Sequence, residues 1–287
     1  KQELSKLKGV SNQDIFVGNG SDEVIDLAFR IFCNPSIDKA LCFTPTYGMY
    51  DVSASINQIE LLEVPLNNKF QIDLEKVKPF LTDSTIKLIF ICSPNNPTGN
   101  LIDKNDIEYI LTYFKGIVII DEAYIDFAEG ESLIGFINQY QNLIISQTFS
   151  KARGLAAARV GTAYANSKII TLFNKVKPPY NVSELNQKAA LNALQNKAEY
   201  QQNIKSILKE KEILKAALTK LNLVKKIYPS DANFLLIEVE NASKVYSYLI
   251  GQKIIIRNRN QQVANCIRIT VGTSVENKKL INTLKNI

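Results

Sequence analysis

Residues 87–99 read KLIFICSPNNPTG. A near-continuous apolar run such as Lys87 to Cys92 is how a strand buried on both faces of a parallel sheet is written; a strand with one wet face would alternate. The segment that follows, Ser93-Pro-Asn-Asn-Pro-Thr-Gly99, forces a rigid, irregular loop that holds Asn96 in one place. Taken alone, an ordinary turn explains the same loop residues.

Two further runs have the same character, Gly116 to Ile120 (GIVII) and Leu143 to Ser146 (LIIS), and a helical pattern from Lys104 to Phe114 separates the first two runs. Strand, helix, strand indicates an α/β sheet with right-handed crossovers. From about Glu199 the pattern changes. Ile204, Ile207, Leu208, Leu214, Leu218 and Leu221 recur at helical spacing across a charged segment, which describes an amphipathic helix. β-like runs at Asn233–Val239, Ile254–Ile256 and Ile267–Val271 precede a final helix. The expected organisation is a large domain over residues 1–197, with a mainly parallel sheet flanked by helices, and a small α+β C-terminal domain over 198–287. The chain opens on what reads as the end of a helix, Leu4 to Val10, so a segment preceding Lys1 is expected.

The 287 residues suffice for a substantial core. Their net charge of +6 is not clustered. Stretches such as Lys209-Glu210-Lys211-Glu212 mix signs, as a solvated helix face does, and no zinc-finger or RNA-recognition signature accompanies them, so no nucleic-acid partner is expected. No stretch has the apolar length of a membrane span, and Lys1 to Lys8 lack a signal peptide's apolar core, which makes the cytoplasm the expected location. Cys33, Cys42, Cys92 and Cys266 are scattered without a C-x-x-C pair and read as buried free thiols. There is no histidine. That removes Ser-His and Cys-His nucleophile pairs, imidazole acid–base chemistry and most zinc chemistry, and no metal is expected. An enzyme built from this chain must move protons through Lys, Tyr, Asp, Glu or Cys.

In open α/β sheets, ligands bind beyond the carboxyl ends of the strands. The second run emerges at Asp121-Glu-Ala-Tyr124. A carboxylate there costs desolvation energy unless a cation or a set of donors meets it; a protonated pyridinium nitrogen would serve, as would a helix N-cap or an internal salt bridge. The third run leads to Thr148-Phe-Ser-Lys151 and onward to Arg159 and Gly161, where hydroxyls, a lysine and an arginine form a reasonable phosphate cradle. Earlier, Gly18-Asn-Gly-Ser-Asp-Glu23 opens a helical stretch from Val24 to Phe32. Free N–H groups at a helix start attract an anion, although a helix cap explains the same residues. The G-x-G lacks the spacing of a dinucleotide fingerprint, and there is no Walker A motif.

Seven segments, GNGSDE (18–23), FTPTYGMY (43–50), CSPNNPTG (92–99), DEAYIDF (121–127), TFSKARGLAAARVG (148–161), PPYNVS (178–183) and CIRITVGT (266–273), resemble in content and order the fold-type I aminotransferases that depend on pyridoxal 5′-phosphate (PLP), most closely their histidinol-phosphate branch. The resemblance spans nearly the whole chain. It implies that Lys151 holds PLP covalently as an imine and later carries a proton between substrate and cofactor. It implies that Asp121 meets the pyridine nitrogen, that Asn96 and Tyr124 hydrogen-bond the phenolic oxygen, and that Tyr47 stacks on the ring. Ser21, Asp22, Thr148, Ser150 and Arg159 would surround the cofactor phosphate. Arg268, with Arg257 as a second contact, would bind the anionic end of the substrate. One lysine acting as both nucleophile and acid–base suits a chain without histidine.

The implied reaction is transamination between L-histidinol phosphate and 2-oxoglutarate, yielding imidazole-acetol phosphate and L-glutamate, within L-histidine biosynthesis. The implied assembly is a homodimer with sites at the subunit boundary, an N-terminal arm contributing contacts. An aromatic amino-acid aminotransferase, a PLP-dependent decarboxylase and a PLP-sensing regulator on the same scaffold are the alternatives. The chain departs from the family pattern at Arg153, where an aromatic residue is common, at Ala157-Ala158, which replace Gly-Leu or Gly-Ile, and at Thr162.

Overall fold

The computed structural model describes residues 1–287. Its larger sheet contains β1 (Ile15–Gly18), β2 (Lys39–Thr44), β3 (Glu60–Pro65), β4 (Ile86–Cys92), β5 (Ile117–Asp121), β6 (Leu143–Thr148) and β7 (Gly161–Ala165). In space the order is β1-β7-β6-β5-β4-β2-β3. Neighbours from β3 to β6 pair in parallel. Only β7 is reversed, antiparallel to both β6 and β1.

The three apolar runs read from sequence are β4, β5 and β6, the central strands, and each feeds two separate cores. Ile89 and Ile91 of β4, Val118 and Ile120 of β5, and Leu143 and Ile145 of β6 pack on one face of the sheet. Leu88 and Phe90, Ile119, and Ile144 pack on the other. Successive strand side chains point to opposite faces, so where helices cover both sides of a strand, its interior positions stay apolar and polar residues gather at its carboxyl end. Burying each apolar side chain contributes about 1.5–3 kcal/mol, which is why these runs dominate the pattern. Helices Ser21–Phe32 and Ser167–Val176 supply part of the second face through Ile25, Phe29, Ile170 and Phe173.

The smaller sheet is antiparallel throughout, in the order β10-β11-β9-β8, with β8 at Val224–Ile227, β9 at Phe234–Val239, β10 at Arg257–Asn258 and β11 at Cys266–Thr270. Its core joins Leu214 and Leu218 of the amphipathic helix (Lys197–Leu218) to Ile237, Ile267, Leu249 and Leu280. The last helix, Ser274–Leu284, starts with a capping box between Thr273 and Glu276.

One expected strand is absent. Ile254–Ile256 forms no ladder; Lys253 adopts φ 58°, and the Ile254 N–H donates to the Leu249 carbonyl, 2.9 Å away. The isoleucines therefore close the preceding helix, and Ile256 plugs the small core. Strand pairing begins one residue later, at Arg257.

The two sheets meet where Tyr124, Phe127 and Ala152 pack against Ala232 and Phe234. The turn at Asp231 is tied to the SPNNPTG loop by Asp231 N–H to Gly99 O (2.7 Å) and Leu101 N–H to Asp231 Oδ2 (2.9 Å). All four cysteines are free and buried. No helix is long and apolar enough to cross a membrane.

Candidate active site

Strands β1, β2, β4, β5 and β6 all end on one edge of the large sheet, and reversed β7 begins there. The segments GNGSDE, PTYGMY, SPNNPTG, DEAY and TFSK all leave from this edge. A cavity of about 560 Å³ opens against it. Ser21, Asp22, Tyr47, Asn96, Asp121, Tyr124, Thr148, Ser150, Lys151, Arg159, Arg257 and Arg268 all line it.

At the end of β5, Asp121 is 2% exposed. Tyr50 Oη donates to its Oδ2 at 3.0 Å and the Ala123 N–H to its Oδ1 at 3.1 Å, yet no lysine or arginine forms an ion pair with it. Burial pushes its pKa up to about 6, against the pull of those two donors. The next carboxylate, Glu122, is equally buried but fully answered: Ser132 Oγ (2.5 Å), the Leu133 N–H (2.7 Å) and Gln147 Nε2 (2.8 Å) donate to it. Of the two adjacent acids, Asp121 is the one left with charge to share.

The two asparagines of SPNNPTG divide their work. Asn95 Nδ2 donates to the Pro45 carbonyl (2.9 Å) and to Thr98 Oγ1 (2.8 Å), and its Oδ1 accepts from Thr46 Oγ1 (2.9 Å). It therefore fastens this loop to the one after β2. Asn96 faces the cavity and accepts from Arg268 Nη1 at 2.5 Å.

A polar cluster occupies the β1, β6 and β7 end. Thr148 Oγ1 donates to Ser150 Oγ at 3.0 Å, and Arg159 Nη1 donates to the same hydroxyl at 3.2 Å. Arg159 Nη2 pairs with Asp22 Oδ2 at 3.1 Å, and Tyr47 Oη donates to Asp22 Oδ1 at 3.1 Å. Arg159 reaches this point because β7 runs backwards, which brings the start of that strand, not its end, to the site. Ser21 and Asp22 open the helix Ser21–Phe32 after Gly20 (φ 79°). A Cβ at Gly161 would fall on the Gly20–Ser21 backbone, so glycine alone allows β7 to lie against the helix start.

PPYNVS braces this helix start from behind. Asn181 Nδ2 donates to the Val17 carbonyl (2.9 Å) and to Glu23 Oε2 (3.1 Å), its own carbonyl accepts from Asn19 Nδ2, and Glu23 Oε2 accepts the Asn19 N–H at 2.6 Å. Arg153, the departure beside the lysine, lies over the Tyr200 ring at 3.7 Å and donates to the Ala193 carbonyl at 3.1 Å. It links the lysine loop to the start of the amphipathic helix. Lys151 Nζ lies 5.1 Å from the Tyr124 ring centre and makes no hydrogen bond or ion pair within the chain.

The far wall comes from the small sheet, where Arg257 pairs directly across from Arg268. Two lining residues of chemical weight, Arg259 and Gln262, were not read from sequence, nor was Tyr50 just behind the wall. The arginines at 257 and 259, two apart, were the available signal, since that spacing puts both on one face of a strand.

The aminotransferase class I and II family matches residues 1–284. Over 287 residues the chain is 48% identical to a histidinol-phosphate aminotransferase of Cytophaga hutchinsonii, covering 99% of this chain and 82% of that one. The crystal structure of the histidinol-phosphate aminotransferase from Clostridium acetobutylicum superposes with a TM-score of 0.91 at 26% identity, over 99% of this chain and 86% of that chain. The fold is shared too with the Sinorhizobium meliloti histidinol-phosphate aminotransferase solved with pyridoxal-5′-phosphate, with a TM-score of 0.90 at 21% identity, over 99% of this chain and 79% of that one.

Proposed function

The chain belongs to the class I and II aminotransferases and, within them, to the histidinol-phosphate aminotransferases, and from that membership we propose that it exchanges an amino group between L-glutamate and imidazole-acetol phosphate. The products are 2-oxoglutarate and L-histidinol phosphate, a step of L-histidine biosynthesis. The observation that carries this reading is the pairing, in one cavity, of an unengaged Lys151 amine with a buried Asp121 carboxylate that has no cation.

PLP fits the residues present. Its pyridinium answers Asp121, and its phosphate suits the helix start at Ser21 and Asp22 together with Thr148, Ser150 and Arg159. When bound, it supplies an aldehyde carbon and a ring that withdraws electrons from the reacting carbon.

The chain's own groups then have distinct tasks. Lys151 Nζ would hold the cofactor covalently and, once released, would carry the proton between substrate Cα and the cofactor's aldehyde carbon. Asp121 would keep a proton on the ring nitrogen, its carboxylate fixed by Tyr50 and the Ala123 N–H. Asn96 and Tyr124 would hold the phenolic oxygen, and Tyr47 would pack on the ring. Arg268 and Arg257 orient the anionic end of the substrate, because a planar guanidinium meets such oxygens in pairs.

The same reading extends to a two-domain chain divided at about 197/198, to a cytoplasmic location, for which the four free thiols speak, and to a homodimer. Tyr180 at 97% exposed and Leu185 at 77% support a partner subunit.

The visible absorbance of the protein loaded with PLP tests the proposal. L-histidinol phosphate should bleach the yellow band, and L-phenylalanine should do so far more weakly. A preference for phenylalanine would reassign the substrate, and no band at all would remove Lys151 from its role.

A further inference from the structure

We propose that Arg259 is a specificity-determining residue, the third guanidinium of a cradle that selects a doubly charged phosphate monoester over a carboxylate. The inference rests on the transamination reading above and goes beyond it by assigning a residue and a charge state.

The backbone at Arg259 is held firmly. Its N–H donates to the Cys266 carbonyl at 2.9 Å, and its carbonyl accepts from the Gln262 and Val263 N–H groups at 2.9 and 2.8 Å. Its side chain is the opposite. It lines the cavity beside Arg257 and Arg268, its Nε is buried without a partner, and no nitrogen of the group donates a hydrogen bond. Arg257 donates none either, and Arg268 donates only to an uncharged amide, Asn96.

No carboxylate forms an ion pair with any of these three arginines. The acids lining the cavity are Asp22 and Asp121. Asp22 is engaged by Arg159 and Tyr47, and Asp121 by Tyr50 and the Ala123 amide. Like charges set directly across a strand pair are destabilising, and Arg257 faces Arg268 in just that way. Burial and the two neighbouring arginines depress the Arg259 pKa, the mark of a cation held where it lacks a counter-ion.

The shape of the missing anion follows from the donors. A carboxylate has two oxygens in one plane and is filled by one or two guanidinium forks. A phosphate monoester has three terminal oxygens and two charges near neutral pH, and it alone gives a third fork an oxygen of its own. Arg259 therefore adds little to glutamate, whose α-carboxylate Arg268 and Arg257 can satisfy, and much to a phosphate ester.

The test compares both half-reactions, each followed by the cofactor band of PLP-loaded enzyme, in wild type, Arg259→Gln and Arg259→Lys. Loss of one charged hydrogen bond corresponds to about 10- to 100-fold in binding. Arg259→Gln should lower kcat/KM for L-histidinol phosphate by about that factor, and for L-glutamate by no more than about 3-fold. Arg259→Lys, which keeps the charge and loses the fork, should recover part of the loss. In wild type, kcat/KM for the ester should rise from pH 5 to 7 as the phosphate takes its second charge at a pKa of about 6, and Arg259→Gln should flatten that rise. Equal losses with both substrates, or no loss with the ester, would overturn the proposal while leaving the transamination reading in place. Inorganic phosphate separates the opposite case. If wild type ignores histidinol phosphate but phosphate still competes with glutamate, and does so about 10-fold less well in Arg259→Gln, the substrate assignment fails and Arg259 stands.

Discussion

Tyr50 Oη donates to Asp121 Oδ2 across 3.0 Å, and the tyrosine ring stacks on Phe90 with centroids 4.9 Å apart. The hydroxyl is thus delivered to the carboxylate by a ring that belongs to the core of the large sheet, where Tyr50 is 1% exposed. Tyr50→Phe keeps the ring and removes the donor. A hydrogen bond to a charged group is worth about 1.5–3 kcal/mol, so the carboxylate becomes harder to ionise and holds a pyridinium less well. We expect PLP to bind about 10-fold more weakly, or more, with the fold intact by circular dichroism. Unchanged affinity would mean that Tyr50 only fills space.

The Asp121 carboxyl carries a sign that can be read from stability. Its pKa in the folded cofactor-free protein is raised from 3.8 to about 6, so folding favours the protonated form. Below pH 4 the group is neutral folded or unfolded and exerts no penalty. As pH rises to 6 and above, ionising it in the folded state costs, at 1.36 kcal/mol per pH unit, about 3 kcal/mol. Asp121→Asn removes that cost, less whatever one lost acceptor contributes. Urea midpoints of the cofactor-free proteins should coincide near pH 4 and favour the asparagine variant by pH 7, while its transamination falls. A variant that is less stable at every pH would refute this account.

Lys151 has no hydrogen-bond or ion-pair partner, which separates its chemistry from its folding. Lys151→Ala should change the unfolding free energy by no more than ordinary surface changes do, about ±0.5 kcal/mol. Turnover should drop by at least the 10²- to 10⁴-fold typical of a lost acid–base group. Borohydride reduction of the wild type should fix the cofactor on the peptide that contains residue 151 and on no other. Labelling elsewhere would move the nucleophile.

Gly161→Ala probes the contact between the reversed strand and the helix start. The new Cβ meets backbone, not a flexible side chain, so the neighbours cannot yield cheaply; overpacking of this kind costs about 1–3 kcal/mol. The displaced part is the pair of N–H groups at Ser21 and Asp22. PLP and free phosphate should both bind at least about 10-fold more weakly. An alanine variant with normal cofactor affinity would show that the helix start is not part of the phosphate site.

The sequence was most legible where two cores were fed at once. β4, β5 and β6 are nearly unbroken apolar runs because neither face meets water, and their bounds differ from the sequence reading by one or two residues. β1 and β7 escaped notice for physical reasons. GTAYA (161–165) is made of small residues because a helix start and a second strand crowd it, and IFVG (15–18) is too short to show a period. The RNRNQQ turn after Ile256 reads as solvated loop, and only the β10–β11 pairing turns its arginines toward the cavity. Asn95 and Asn96 cannot be told apart by composition; the hydrogen-bond partners of Asn95, Thr46 and Thr98, lie on a different loop and on its own, and only the folded chain shows which amide is fully used.

The reversed strand has a consequence for how this chain tolerates change. Thr148 and Gly161 are paired across β6 and β7, so residues 149–160 form a closed hairpin whose feet are fixed in the sheet. Lys151 hangs near one foot and Arg159 near the other. Replacing letters between them, as Arg153 and Ala157-Ala158 do, leaves the span alone and needs only local repacking. Adding or deleting one residue would swing the lysine or the arginine away from a sheet that does not move. The loop behaves as a gauge block: free in most of its lettering and strict in its length.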